Sequence, residues 1–384
     1  MQFDGVGTSS TASDGSDTSG GSAVVPTPSA TPVATQPSPV QISKSFIYAG
    51  GSGFIQPFVF DHAAETLTPL TKQSIGSDQV GWMAYDAVES MLYVGDAGAL
   101  AHMNQISLNT STGSLSIVRQ NKFTSGATHI SFSRHDGKTS LYCASYGNGV
   151  FEDSDLSALG AVTVAKTFTY TATAKAHSST IDETRSLVFA ALLGESRIVV
   201  YSRDAAGLTE IGDIKTPDAR MVHYDAVYDR LFVVSESTDK PSTVKTFKVV
   251  RNGTSFTATE MGAFSMGFRG ADFDADHVHN VVVASVRESG KEGVWVLPVT
   301  STGDFDSSRM NRFIPTTCTE ARSVKVTADG NYVVLTCSDG KNTNDVYVYR
   351  VSYDASLAIT STSLVASADA GSGGFLAHFV LDVK

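Results

Sequence analysis

Trp82-Met-Ala-Tyr-Asp86, followed four residues later by Met91-Leu-Tyr-Val-Gly95, is the stretch that decides the fold. The first segment is mixed and ends on an aspartate, a turn former. The second is strongly apolar, and the pair reads as two strands of a hairpin. The arrangement recurs along the chain. His129-Ile-Ser-Phe-Ser133 leads to Ser140-Leu-Tyr-Cys-Ala144, and His177-Ser-Ser-Thr-Ile181 to Leu187-Val-Phe-Ala-Ala191. Met221-Val-His-Tyr-Asp225 leads to Leu231-Phe-Val-Val-Ser235, and Gly270-Ala-Asp-Phe-Asp274 to Val281-Val-Val-Ala-Ser285. Ser323-Val-Lys-Val-Thr327 leads to Tyr332-Val-Val-Leu-Thr336. Successive copies lie roughly 43–54 residues apart, the period of one four-stranded propeller blade.

Working outward, a third apolar strand follows most copies, as in Arg197-Ile-Val-Val-Tyr201, Gly293-Val-Trp-Val-Leu297 and Asp345-Val-Tyr-Val-Tyr349. Six copies are complete, and the chain ends hold a seventh. Phe46-Ile-Tyr-Ala49 and Ile55-Gln-Pro-Phe-Val-Phe60 read as its inner and middle strands. Ala377-His-Phe-Val-Leu-Asp382 reads as a strand that joins them and closes the ring, removing exposed edges. The expected fold is all-β: one seven-bladed propeller over residues 43–384. A β-sandwich does not explain the fixed period.

Residues 1–42 differ in composition. Thr8–Ser22 is nearly all Ser, Thr, Gly and Asp, and Pro26–Pro39 is rich in Pro, Thr, Ala and Ser. Such a stretch buries too little apolar area to offset its ordering entropy, so it is expected to be a disordered tether. No signal peptide pattern precedes it; a removed leader and a secreted, cell-surface or periplasmic protein are expected, with the cytoplasm as the alternative. Sequons at Asn109 and Asn252 are compatible with export.

The 384 residues carry a net charge of −11, which argues against a nucleic-acid face or docking to anionic lipid. No apolar run is long enough to span a membrane as a helix. Charged residues make up 17%, below the usual quarter or so, as suits a turn-rich β protein. Cys143, Cys318 and Cys337 lack zinc-site spacing. Cys318 and Cys337 are one hairpin apart and can pair in an oxidising compartment; three buried free thiols are the other reading.

Function in a propeller sits at the channel mouth, on the residues entering each inner strand and those just after the next strand. The first place holds His129, His177, Arg220, Arg269 and Arg322; the second holds Asp96, Tyr146, Glu236, Arg287 and Ser338. His177, Arg220, Glu236 and Arg287 form the candidate catalytic set. A histidine near a carboxylate exchanges protons at neutral pH. Paired arginines clamp a carboxylate or phosphate. Arg269, Arg322, Trp82, His129, Tyr146 and Phe375 are candidate lining groups. Against this stands the structural reading, in which blade-entry His and Arg bond backbone carbonyls and aromatics only pack. His223 and His279 are expected to be structural, and His62 and His135 solvated.

At these residues the chain resembles a known family, the seven-bladed propellers that include bacterial phosphogluconolactonase and fungal carboxy-cis,cis-muconate cyclase. Ala176-His177 with Leu192-Leu-Gly-Glu-Ser-Arg-Ile198 is similar to its histidine blade, and Asp218-Ala-Arg220 with Ser235-Glu236 to the next. Ser285-Val-Arg287 is similar to the blade after that, one residue later by a strict strand count. Gly81-Trp82-Met83 and Ser145-Tyr-Gly-Asn-Gly149 add to the likeness. Met221 stands where the family has a histidine, and Ala328-Asp-Gly330 is the nearest match to its recurrent turn. The resemblance implies lactone-ring opening or closing on a small anionic organic acid or lactone, with His177 in acid/base chemistry and the arginines holding carboxylates. Glu236 would orient the histidine or act as a second base. No cofactor or metal is expected, since no Glu/Asn/Asp cluster recurs at equivalent blade positions. A non-catalytic, surface-tethered binding propeller is the alternative.

Overall fold

The computed structural model describes residues 41–76, 78–135, 137–157, 160–338, 345–371 and 378–383. The tether therefore lies, except for residues 41 and 42, outside the described residues. Seven antiparallel sheets are present. Blades 1 to 6 span residues 80–122, 129–169, 176–215, 219–267, 270–315 and 321–368, each with four strands in chain order.

Blade 7 is built from both chain ends. Its strand order is His378–Val383, Lys44–Gly50, Phe54–Asp61, then an edge made by Thr66–Pro69 and Gln73–Ser74. Phe46 pairs with Leu381, Ile47 with Val380 and Tyr48 with Phe379. The expected closure is present, with one correction. Lys44–Gly50 and Phe54–Asp61 are the second and third strands, and the innermost position belongs to His378–Val383. The C-terminal strand is thus the seventh member of the ring of inner strands.

Apolar packing explains why second strands are continuously hydrophobic. All six residues of Leu187–Leu192 are buried. Leu187, Phe189 and Ala191 pack toward blade 4, while Val188, Ala190 and Leu192 pack toward blade 2. A strand sandwiched between two neighbouring sheets has no polar face. Seven such seams, one per adjacent pair of blades, make up the core. The recurring aspartates end inner strands and bind the turns beyond: Asp225 Oδ1 accepts from the Val227 and Tyr228 amides at 2.9 and 3.0 Å, and Asp276 Oδ1 from Val278 at 2.7 Å.

Inner strands are more polar because they line the channel, where a cavity of about 440 Å³ lies among residues including His129, Ser131, Ser179, Asp272, Lys325 and His378. Cys318 and Cys337 are disulfide-bonded with Cα atoms 6.1 Å apart, and Cys143 is a buried free thiol. His62 is not solvated as expected. Its Nε2 lies 2.7 Å from Ser45 Oγ and its Nδ1 3.3 Å from Asp329.

Candidate active site

The site is positioned by one backbone device repeated around the ring. The residue before the inner strand is left-handed in four successive blades: Lys175 (φ 52°), Asp218 (52°), Arg269 (56°) and Glu320 (55°). A small residue follows, Ala176, Ala219, Gly270 or Ala321. The register then slips, leaving His177, Arg220 and Arg322 as unpaired bulge residues in blades 3, 4 and 6. In blade 1 Gly81 takes that place. A bulge re-aims its side chain out of the pleat, here toward the channel mouth.

A second contact ties on the residue after the second strand. Its amide donates to the carbonyl of the left-handed residue: Leu193 to Lys175 (3.2 Å), Glu236 to Asp218 (2.9 Å), Arg287 to Arg269 (3.1 Å) and Ser338 to Glu320 (3.2 Å). Glu236 and Arg287 are therefore equivalent, and the one-residue offset in the strand count disappears. In blade 1 the tied residue is Ala97, bonded to Gln79 (2.9 Å), so Asp96 is one place early. Its carboxylate instead binds the Asp78, Gln79 and Gly98 amides.

His177, Arg220, Glu236 and Arg287 all line one cavity of about 390 Å³ at the mouth, joined by Arg269, Arg322, Trp82 and Tyr146. Residues from four blades and from blades 1 and 2 thus converge. Arg220 Nε lies 2.8 Å from Glu236 Oε2, and Arg287 contacts Glu236 Oε1. Arg220 also donates to the Ala271 carbonyl. Arg287 Nη1 reaches Glu320 Oε2 at 3.0 Å, Arg269 Nη1 reaches Glu320 Oε1 at 2.7 Å, and Arg322 Nη2 lies 3.5 Å from Glu320. Among the described residues, four guanidinium groups face two carboxylates, so the cluster is positive on balance.

Burial pushes Glu236 up, but Arg220 and Arg287 outweigh it and hold the carboxyl below its usual range. Glu320 behaves likewise under Arg287, Arg269 and Arg322. Burial, then Arg287, brings Arg220 down to about 9, still charged at neutral pH. His177 is held well below the usual histidine range by burial first, then Arg220, His129 and Arg287. It is a neutral imidazole at pH 7. Its Nδ1 is buried without a hydrogen-bond partner, and the residue lines the cavity. Tyr146 meets the ring edge-on at 5.8 Å.

Two sequence expectations change. His129 lines the deeper channel rather than the mouth: Trp82 packs on its ring at 4.4 Å, and its Nδ1 accepts the Ser179 amide at 3.3 Å. Burial brings it down to about 3, the behaviour of a structural histidine. Glu236 contacts the two arginines, so its charge is directed at them and not at His177. Phe375 lies outside the described residues. Glu320 was not singled out from the sequence, although Glu320-Ala-Arg322 repeats the frame of Asp218-Ala-Arg220. Among the described residues no group of three or more His, Cys, Asp or Glu is arranged to hold a metal ion.

The model of the seven-bladed β-propeller lactonases matches residues 40–369. The chain belongs to the lactonase family. Among solved structures, this lactonase-family chain is similar to a putative 6-phosphogluconolactonase of Bacteroides fragilis: 15% identity, TM-score 0.69, covering 89% of this chain and 98% of that one. It is also similar to the periplasmic gluconolactonase of Pseudomonas aeruginosa: 17% identity, TM-score 0.71, covering 88% and 99%. At these identities the likeness carries the fold. No curated protein matches the chain.

Proposed function

We propose that this lactonase-family protein hydrolyses the lactone ring of a small anionic substrate at the channel mouth, through protein side chains alone. The observation that supports it most is the convergence of His177 and four arginines on one cavity. The excess positive charge draws in an acidic substrate and holds its carboxylate or phosphate. Arg220 and Arg287, more deeply buried than the other two, are placed to stabilise the oxyanion that forms when water attacks the ring carbonyl. His177 takes the proton from that water and returns it to the alkoxide leaving group. Glu236 keeps both guanidinium groups fixed.

The depressed basicity of His177 suits this order of events. Empty, the pocket holds the imidazole neutral across the working range. An anion bound among the arginines offsets their field and raises the basicity of His177 when a substrate is present. The disulfide supports an oxidising compartment, outside the cell or periplasmic.

The test is a panel of lactones, with and without an acidic substituent, offered to the wild type and to His177→Ala. Turnover of acidic lactones should fall about 10²–10⁴-fold in the variant, as general-base loss does. A folded His177→Ala protein with full activity on the best substrate would leave the propeller a binding module.

A further inference from the structure

Blade 6 differs from its neighbours at the place where the site is most crowded. Its left-handed residue, Glu320, bridges three arginines that come from two blades: Arg269 and Arg287 of blade 5 and Arg322 of its own. Of the other left-handed residues, Arg269 is one of these three arginines, Asp218 pairs with the exposed Lys240, and Lys175 lies over the Tyr146 ring. Only here, among the described residues, does a covalent bond reinforce the frame. Cys318 sits two residues before Glu320, and Cys337 is the last residue of the second strand. The next residue, Ser338, donates its amide to the Glu320 carbonyl. Glu320 is thus held from both sides, by its own carbonyl and by the disulfide upstream. In blade 4 the same two positions are Thr216 and Ser235, and in blade 5 Gly267 and Val286. Neither pair can cross-link.

A carboxylate fixed across three guanidinium groups occupies the contacts that a substrate carboxylate or phosphate would use. Glu320 is ionised there, because the arginines outweigh the cost of its burial. Its side chain is about one-fifth exposed, and the three arginines it binds all line the cavity, although Glu320 itself does not.

We propose that Glu320 is a built-in occupant of the anion subsite, set in place by the Cys318–Cys337 disulfide, and that it determines how tightly the arginine cluster takes an anionic substrate. This rests on reading the cluster as an anion site. Glu320 is a positioning and specificity residue. It caps the affinity for any simple anion and leaves the full cluster to a ligand that can displace it or share the arginines with it. Loosening the Cys318 segment lets the carboxylate move away and has the same sign as removing its charge.

The experiment is calorimetric titration of the full chain with inorganic phosphate and with succinate, at constant ionic strength. Glu320→Gln should tighten binding about three- to tenfold, because a competing charge is gone while the shape remains. Glu320→Asp should stay near the wild type. Cys318→Ser with Cys337→Ser should also tighten binding, and should add nothing in the Glu320→Gln background. Unchanged or weaker binding by Glu320→Gln would overturn the proposal. So would a cysteine effect that persists without the carboxylate, which would mark the disulfide as general stabilisation. If phosphate and succinate bind equally to all variants, only this proposal fails. If neither binds any variant, the anion site itself fails. Glu320→Gln keeps the disulfide, so it tests the idea even where the cysteine variant folds poorly.

Discussion

At His177, burial and the neighbouring arginines act in the same direction, and the sign has a kinetic consequence. A histidine whose basicity is depressed stays unprotonated as the pH falls through its ordinary value of 6.5. The acid limb of kcat/KM, which reports the free enzyme, should therefore lie below pH 6.5. Arg322 is one of the charges that depress it, so Arg322→Gln should shift the limb upward. A wild-type limb at or above 6.5, or an unmoved limb in the variant, would contradict the assignment. Arg220→Lys keeps the charge but loses the flat fork that spans Glu236 and the Ala271 carbonyl. Because its contact to the oxyanion exists only in the transition state, the change should lower kcat about tenfold or more and raise KM less. His177 and Arg220 were legible from the sequence because each opens a repeat. Glu320 was not, since two of the three guanidinium groups it binds come from another blade, and the loop before it reads as an ordinary turn. The partner of Glu236 was equally hidden: only the bulge geometry turns Arg220 toward it and sets His177 at the cavity.

The element that makes the site is the bulged start of the inner strand. Blade 1 shows what the device requires when no functional side chain is placed there. Gly81 is the bulged residue and lines the cavity, and a Cβ built on it would meet the Ala127 carbonyl oxygen at 2.1 Å. That oxygen is backbone of the connection leading into blade 2 and cannot swing aside. Gly81→Ala should cost about 1–3 kcal/mol of stability in denaturant unfolding, as overpacking does. It should also disturb Trp82, the adjacent floor of the pocket. An alanine variant as stable as the wild type would mean that the seam between blades 1 and 2 can open without strain. The repeats of mixed then apolar strands were readable because each second strand is buried on both faces. The bulges were not, because one extra residue leaves no mark in a hydrophobic pattern. Nor does the hydrophobic pattern tell an inner from a second strand at Phe46–Ala49; only the pairing of Lys44–Gly50 with His378–Val383 assigns the inner position to the latter.

The whole molecule depends on that pairing, because the channel mouth exists only in a closed ring. His378–Val383 contributes on both sides of blade 7: Val380 packs in the seam with blade 6, and Phe379 and Leu381 in the seam with blade 1. Asp382 adds polar ties, accepting from Ser45 of its own blade and from the Ala328 amide of blade 6. Deleting residues 378–384 would therefore bare one edge of Lys44–Gly50 and loosen two seams at once. A solitary sheet could lose an outer strand and keep its core, but here the missing strand is the inner one and both neighbours lean on it. The truncated chain should lose cooperative unfolding or aggregate through its new edge. A synthetic peptide covering 376–384, added in trans, should restore amide protection in Lys44–Gly50 under hydrogen exchange. It should also restore phosphate binding at Arg220, Arg287 and Arg322, three blades or fewer from the repair. Wild-type melting and phosphate affinity in the truncated chain would show instead that blades 3 to 6 hold the site unaided. The ring would then matter for solubility and not for the geometry of the mouth.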